Sequence, residues 1–137
     1  MIAKTQLLAI LVSIGVLGCA STDMQRGILC NSGVCKVDVS ITACSAPGGV
    51  EVNIKNLKVQ GARNIEWTIV TPGYTFAQNG IAIADYYNQF DPPHQTGSGT
   101  KITVHDRNTN SGPVYYSVNV MMGATACAAL DPWIFNQ

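Results

Sequence analysis

From residue 35 onward, apolar and polar side chains alternate in short runs, and each run is closed by residues that favour turns. Cys35-Lys36-Val37-Asp38-Val39-Ser40-Ile41 alternates without a break, as does Val50-Glu51-Val52-Asn53-Ile54-Lys55. Asn64-Ile65-Glu66-Trp67-Thr68-Ile69 puts Ile65, Trp67 and Ile69 on one side, and Lys101-Ile102-Thr103-Val104-His105 repeats the rule. Val114, Tyr116, Val118 and Val120 share a side opposite Tyr115, Ser117, Asn119 and Met121. A period of two belongs to strands with one buried and one wet face. Pro47-Gly48-Gly49, Thr71-Pro72-Gly73, Asn79-Gly80, Asp91-Pro92-Pro93 and Asn110-Ser111-Gly112-Pro113 supply the fixed or positive φ of turns between them.

This pattern predicts an all-β domain, a single Ig-like antiparallel β-sandwich of about seven strands. Asp131-Pro132 starts a last short strand from Trp133 to Asn136, and the longest loop runs from Asp91 to Gly99. Trp67 and Tyr116 fall on core-facing positions. Tyr116, after Gly112-Pro113, sits as in the tyrosine corner of Ig-like sandwiches, where the hydroxyl bonds the backbone across a connection.

The N-terminus follows another rule. Lys4 is the one charge in the first 22 residues, and Leu7 to Gly18 is apolar apart from Ser13 and two glycines. A short positive region, an apolar run of this length and small residues after it make a secretory signal peptide. A membrane-crossing helix needs about 20 apolar residues, and this run stops well short of that. The string Val16-Leu17-Gly18-Cys19 resembles the lipidation site of bacterial lipoprotein precursors. The resemblance implies cleavage before Cys19, attachment of acyl chains such as palmitate, and a membrane tether. Leu17 departs from the small residue the family more often carries there. By the resemblance to Gram-negative lipoproteins, Ala20 in place of an aspartate after the cysteine implies sorting to the outer membrane. Ordinary signal cleavage after Ala20 is the alternative, and it would release a secreted or periplasmic soluble form. The chain thus divides into a signal peptide (1–18), a lipidated N-terminus and tether (19–33) and a sandwich domain (34–137).

Charge narrows the partners. The whole chain carries eight basic and eight acidic residues, and loss of Lys4 with the signal leaves a net charge of −1. Dispersed charges of this balance offer no footprint for nucleic acid, which demands clustered cations. Of five cysteines, assigning Cys19 to the lipid leaves Cys30, Cys35, Cys44 and Cys127. An even number in an exported chain reads as two disulfides, with three pairings possible. The favoured pairing is Cys30–Cys35, closing the Asn31-Ser32-Gly33 turn, with Cys44–Cys127 tying an early strand to the end of the domain.

Candidate chemistry is sparse. His94, His105, Cys127 and Met121 or Met122 meet the inventory of a blue-copper site, but no histidine follows Cys127 in the clustered loop such sites use. The two histidines also lack the close ligand pairing of zinc sites. Gly97-Ser98-Gly99 leads into a strand and is not the G-x-S-x-G elbow of a hydrolase. Asp85, Asp91, Asp106 and Asp131 sit near turns, where Asp commonly caps the backbone. No cofactor, metal or catalytic residue is therefore expected, and the chain is not read as an enzyme. Tyr86, Tyr87, Phe90, Tyr115 and Trp133 are the aromatics available for an exposed binding surface. The candidate surface is the loop from Tyr86 to Gly99 with its aromatic neighbours, and Tyr86, Tyr87, Phe90 and His94 are its contact residues.

The layout Ile65-x-Trp67, Tyr74-x-Phe76, Gly80-Ile81, Tyr116-x-Val118 and Asp131-Pro132-x-Ile134-x-Asn136 is similar to small exported bacterial β-sandwich proteins. That resemblance implies a fold and no activity. The expected function is that of a membrane-tethered cell-envelope lipoprotein acting as a binding or assembly module, with an envelope protein as partner. A periplasmic copper-handling protein and a purely structural envelope component are the alternatives.

Overall fold

The computed structural model describes residues 27–137, so the signal segment, Cys19 and the alternative cleavage point after Ala20 lie outside the described residues. Eleven strands follow one another: β1 (Ile28–Cys30), β2 (Cys35–Ile41), β3 (Val50–Val52), β4 (Asn56–Val59), β5 (Arg63–Ile69), β6 (Thr75–Ile83), β7 (His94–Thr96), β8 (Lys101–Asp106), β9 (Gly112–Met122), β10 (Thr125–Ala126) and β11 (Trp133–Asn136). They form two sheets. The first runs β1-β4-β11-β9-β10, with β6 also paired to β9, and the second runs β3-β2-β5-β8-β7.

The alternating runs form the central strands, with their apolar sides inward. Val37, Val39, Ile65, Trp67, Ile102 and Val104 from the second sheet meet Leu57, Val59, Val114, Tyr116, Val118, Val120 and Ile134 from the first. Several expectations differ from the structure. The sheets are mixed, not antiparallel throughout: β1 and β11 both run parallel to β4, and β2 runs parallel to β5. Alternation reports which face is buried and is silent on the direction of the neighbouring strand. The strand count is higher because two- to four-residue strands such as β1, β7 and β10 are too short to display a period.

The run from Val50 to Lys55 is also not one strand. Asn53 breaks it: its Oδ1 accepts from the Asp38 backbone N–H at 2.9 Å, and the chain then crosses to the other sheet as β4. Asn79-Gly80, in turn, is not a turn but lies within β6, at a bulge where the register with β9 shifts between Phe76 and Ile81. A Cβ on Gly80 would lie 2.6 Å from Phe76 Cβ and 2.7 Å from Ile102 Cδ1, so the glycine serves close packing.

The folded body begins earlier than residue 34. β1 pairs Ile28 with Leu57 and Cys30 with Val59, so residues 28–33 belong to the sheet and its first turn and not to a tether. Two disulfides join Cys30 to Cys35 and Cys44 to Cys127, which is the favoured pairing. Disulfides of this kind belong to chains folded in an oxidising compartment, and they mark an extracytoplasmic protein.

Trp67 and Tyr116 lock the sheets together with ring centroids 5.4 Å apart in an edge-on arrangement. Burial pushes the Tyr116 hydroxyl up to about 12, offset in part by the neighbouring Trp67 indole. That hydroxyl finds no hydrogen-bond partner of standard geometry among the described residues, so the tyrosine-corner expectation is not met. Its position is set by ring packing instead.

One end of the sandwich is closed by a polar clasp. Asn136 on β11 donates from Nδ2 to Gln89 Oε1 and to Asp106 Oδ1, each at 3.1 Å, linking both sheets through a connecting loop. All three residues are buried. The Asp106 Oδ1 also accepts from the Asn108 N–H at 2.8 Å, whereas Asp106 Oδ2 and Asn136 Oδ1 have no partner among the described residues. Acceptors outnumber donors here. Burial raises the Asp106 carboxyl above its ordinary value; the Asn108 N–H, the Asn136 amide and His105 oppose that shift, and Asp85 adds to it. The folded state thus binds this proton more tightly than the unfolded state, and stability declines as pH rises from the unfolded value through the folded one. Asp106→Asn keeps the shape and supplies a permanent donor. It is expected to stabilise the domain by on the order of 1 kcal/mol at pH 7 and to flatten stability above pH 4; urea titrations across pH check both.

A candidate ligand-binding face

The expected contact loop is only partly a surface. Tyr86 and Tyr87 are 84% and 65% exposed, but Phe90 is 6% exposed and belongs to the core. Phe90 is therefore a core residue and not a contact residue, because its segment is held down. The Asp85 carboxylate accepts from the Gln89 and Phe90 N–H groups at 2.9 and 2.8 Å, and Phe90 forms a bridge to Asp106. The loop is also shorter than expected, since His94–Thr96 forms β7 at the edge of the second sheet. His94 is exposed there and pairs through its backbone with Thr103. Tyr86 and Tyr87 lie in a turn beyond β6, on a different element from His94.

The remaining candidates are dispersed. His105 is exposed on the outer side of β8, with Nδ1 2.8 Å from Asn64 Oδ1. Ser98 occupies a 3-10 turn at φ 55°. Asp91 is paired with Arg107, whose guanidinium holds the carboxyl below its usual range. Cys127 is consumed by its disulfide, which removes the thiolate that the copper reading requires. Among the described residues no three His, Cys, Asp or Glu side chains are placed to share a metal ion.

The sequence reading named Tyr115 and Trp133 among its exposed aromatics but missed the assembly they form with Asp131 and Ser117 on the outer face of the first sheet. Tyr115 on β9 and Trp133 on β11 are register partners, and their rings lie 3.7 Å apart between centroids. Tyr115 is 47% exposed and Trp133 is half-buried. The row continues in both directions: Asn56 on β4 is the partner of Trp133, and the Ala84 N–H donates to the Tyr115 carbonyl at 2.9 Å. A groove of about 330 Å³ opens on the Trp133 side, lined by Lys55, Asn56, Leu130, Asp131, Pro132 and Trp133. A second, of about 300 Å³, opens on the Tyr115 side beside Ala82, Ala84 and Ser117. Small side chains at residues 82 and 84 are what leave this second space open.

Asp131 borders both grooves. Its backbone is pinned on either side, because Val118 and Leu130 exchange hydrogen bonds and the Tyr116 N–H donates to the Pro132 carbonyl. The Ser117 hydroxyl donates to Asp131 Oδ1 at 2.5 Å. Every element of the assembly thus sits on hydrogen-bonded backbone, which makes it rigid before any ligand arrives. The signal was present in the sequence as Tyr115 and Ser117 on the polar side of their strand and Asp131-Pro132-Trp133 near the end. Nothing in the sequence announces that these segments are neighbours.

Fold and disulfides together define an extracytoplasmic, two-sheet, all-β protein with an aromatic patch on one sheet. Compared with known proteins, the chain matches no family model and no curated protein.

Proposed function

We propose that this chain is a cell-envelope lipoprotein, tethered through acyl chains on Cys19, whose sandwich serves as a binding module. The observation that carries the binding role is the rigid row Asn56–Trp133–Tyr115–Ala84, which presents aromatic rings between two grooves. Tyr86 and Tyr87 follow Ala84 in a turn and are exposed. The two disulfides support export, and Val16-Leu17-Gly18-Cys19 supports the tether. Eight residues separate Cys19 from Ile28, so the folded body stays within about 30 Å of its anchor even with that segment fully extended. Such confinement raises the local concentration at the envelope and lets a modest intrinsic affinity suffice.

Cys19→Ser is expected to move the protein from the membrane pellet to the soluble fraction and to abolish labelling by palmitate. Intact mass of the mature wild-type chain checks the same point. An unacylated mature form beginning at Ser21 would overturn the tether.

A further inference from the structure

We propose that the Tyr115–Trp133–Asp131 assembly is a binding site for a neutral oligosaccharide chain. This rests on the binding-module reading and gives that module its ligand class. Sugar rings present flat C–H faces bordered by hydroxyls that both donate and accept. The assembly has the matching parts. Aromatic faces at Tyr115 and Trp133 meet the C–H surface. Around them stand a carboxylate (Asp131), an ammonium group (Lys55), an amide (Asn56) and a hydroxyl (Ser117). Of Asp131, only Oδ1 is engaged by Ser117, so Oδ2 can accept from a ligand hydroxyl.

The shape selects a chain over a compact ligand. The row crosses β4, β11 and β9 and reaches the end of β6, and strands about 4.8 Å apart make it about 14 Å long. That length accommodates a short run of consecutive rings in two open grooves that share Asp131. A polypeptide adding itself as a strand needs a sheet edge, and this is a sheet face with both neighbours of β11 already paired. Asp131 borders both grooves whereas Lys55 lines only one, so a carboxylate stands beside every bound ring and disfavours uronic or sulfated sugars.

The test uses detergent-solubilised mature protein on an array of cello-, chito-, malto- and manno-tetraose, with heparin and galacturonate tetrasaccharides as acidic members. Retention of at least one neutral tetrasaccharide is expected, followed by titration calorimetry. Trp133→Ala should weaken that binding at least tenfold, and Trp133→Phe should restore most of it by returning a flat ring. Because Trp133 is half-buried, Tyr115→Ala serves as the second variant, with melting curves showing that each remains folded. Asp131→Asn can still accept from Ser117, and it should weaken the neutral ligand while admitting acidic ones. Retention of no neutral member, or affinity unchanged in both aromatic variants, would overturn the proposal. Binding in detergent does not depend on the tether, so loss of sugar binding with an acylated Cys19 sinks the ligand assignment alone.

Discussion

Eliminating the Cys44–Cys127 disulfide, as Cys44→Ala with Cys127→Ala, is expected to lower the unfolding free energy by about 4–5 kcal/mol. The bond spans 83 residues of sequence, from the end of the β2 region to the stretch after β10. A cross-link over so long a loop removes many unfolded conformations, so cutting it restores them all. Its partner at Cys30–Cys35 spans five residues and should contribute about 2 kcal/mol by the same reasoning. The ratio between the two is the sharper prediction. Urea unfolding of the two double variants measures it, and equal losses would mean that loop entropy is not the source of the stabilisation. The long bond also fixes geometry, since the Ala128 N–H donates to the Cys44 carbonyl at 2.8 Å beside it. Reduction of the intact protein should therefore show one large loss of stability and one small one.

Trp67→Ala should cost about 3–5 kcal/mol. Trp67 has no exposed surface and occupies the middle of β5, between Val37 on β2 and Ile102 on β8. Its removal empties the centre of the sandwich and deprives Tyr116 of its edge-on partner across the two sheets. Small domains are stable by only about 5–15 kcal/mol, so a loss of this size brings the protein close to the folding threshold. Trp67→Phe keeps an aromatic ring and should lose markedly less. The measurement is equilibrium denaturation followed by circular dichroism, with Trp133 left as the one remaining tryptophan. A cost for Trp67→Ala below about 1 kcal/mol would show that neighbouring side chains collapse into the space, contrary to the rigid interlock inferred here.

The Trp67–Tyr116 contact also explains how the proposed ligand face is held. Tyr115 projects outward from β9 because Tyr116 beside it is driven inward against Trp67. Consecutive residues on a strand point to opposite faces. Trp133 is presented in the same way by the buried Ile134 on β11. The platform is the wet side of the same strands whose dry sides make the core, so loosening the core at Trp67 should weaken ligand binding as well.

Much of this architecture was written in the order of the residues. The inward sides of β2, β5, β8 and β9 follow from alternation, because burying one face of a strand imposes a period of two on its own side chains. The turn between Cys30 and Cys35 favours their pairing among three possibilities, and the folded structure decides it. An extracytoplasmic setting is legible in the four thiols Cys30, Cys35, Cys44 and Cys127, whose two disulfides the structure forms. Only the folded structure decides the rest: that β2 lies parallel to β5, that Asn53 sends the chain to the other sheet, that Phe90 is buried, and that Asp131 reaches both grooves. The Asp106 clasp is of the same kind, since nothing adjacent to it in sequence reveals that Gln89 and Asn136 converge there. Local order dictates which side of a strand is dry, because that depends on side chains two residues apart. Which strands become neighbours, and which polar groups they bring together, depends on contacts between residues tens of positions apart, and these exist only once the two sheets have closed on each other.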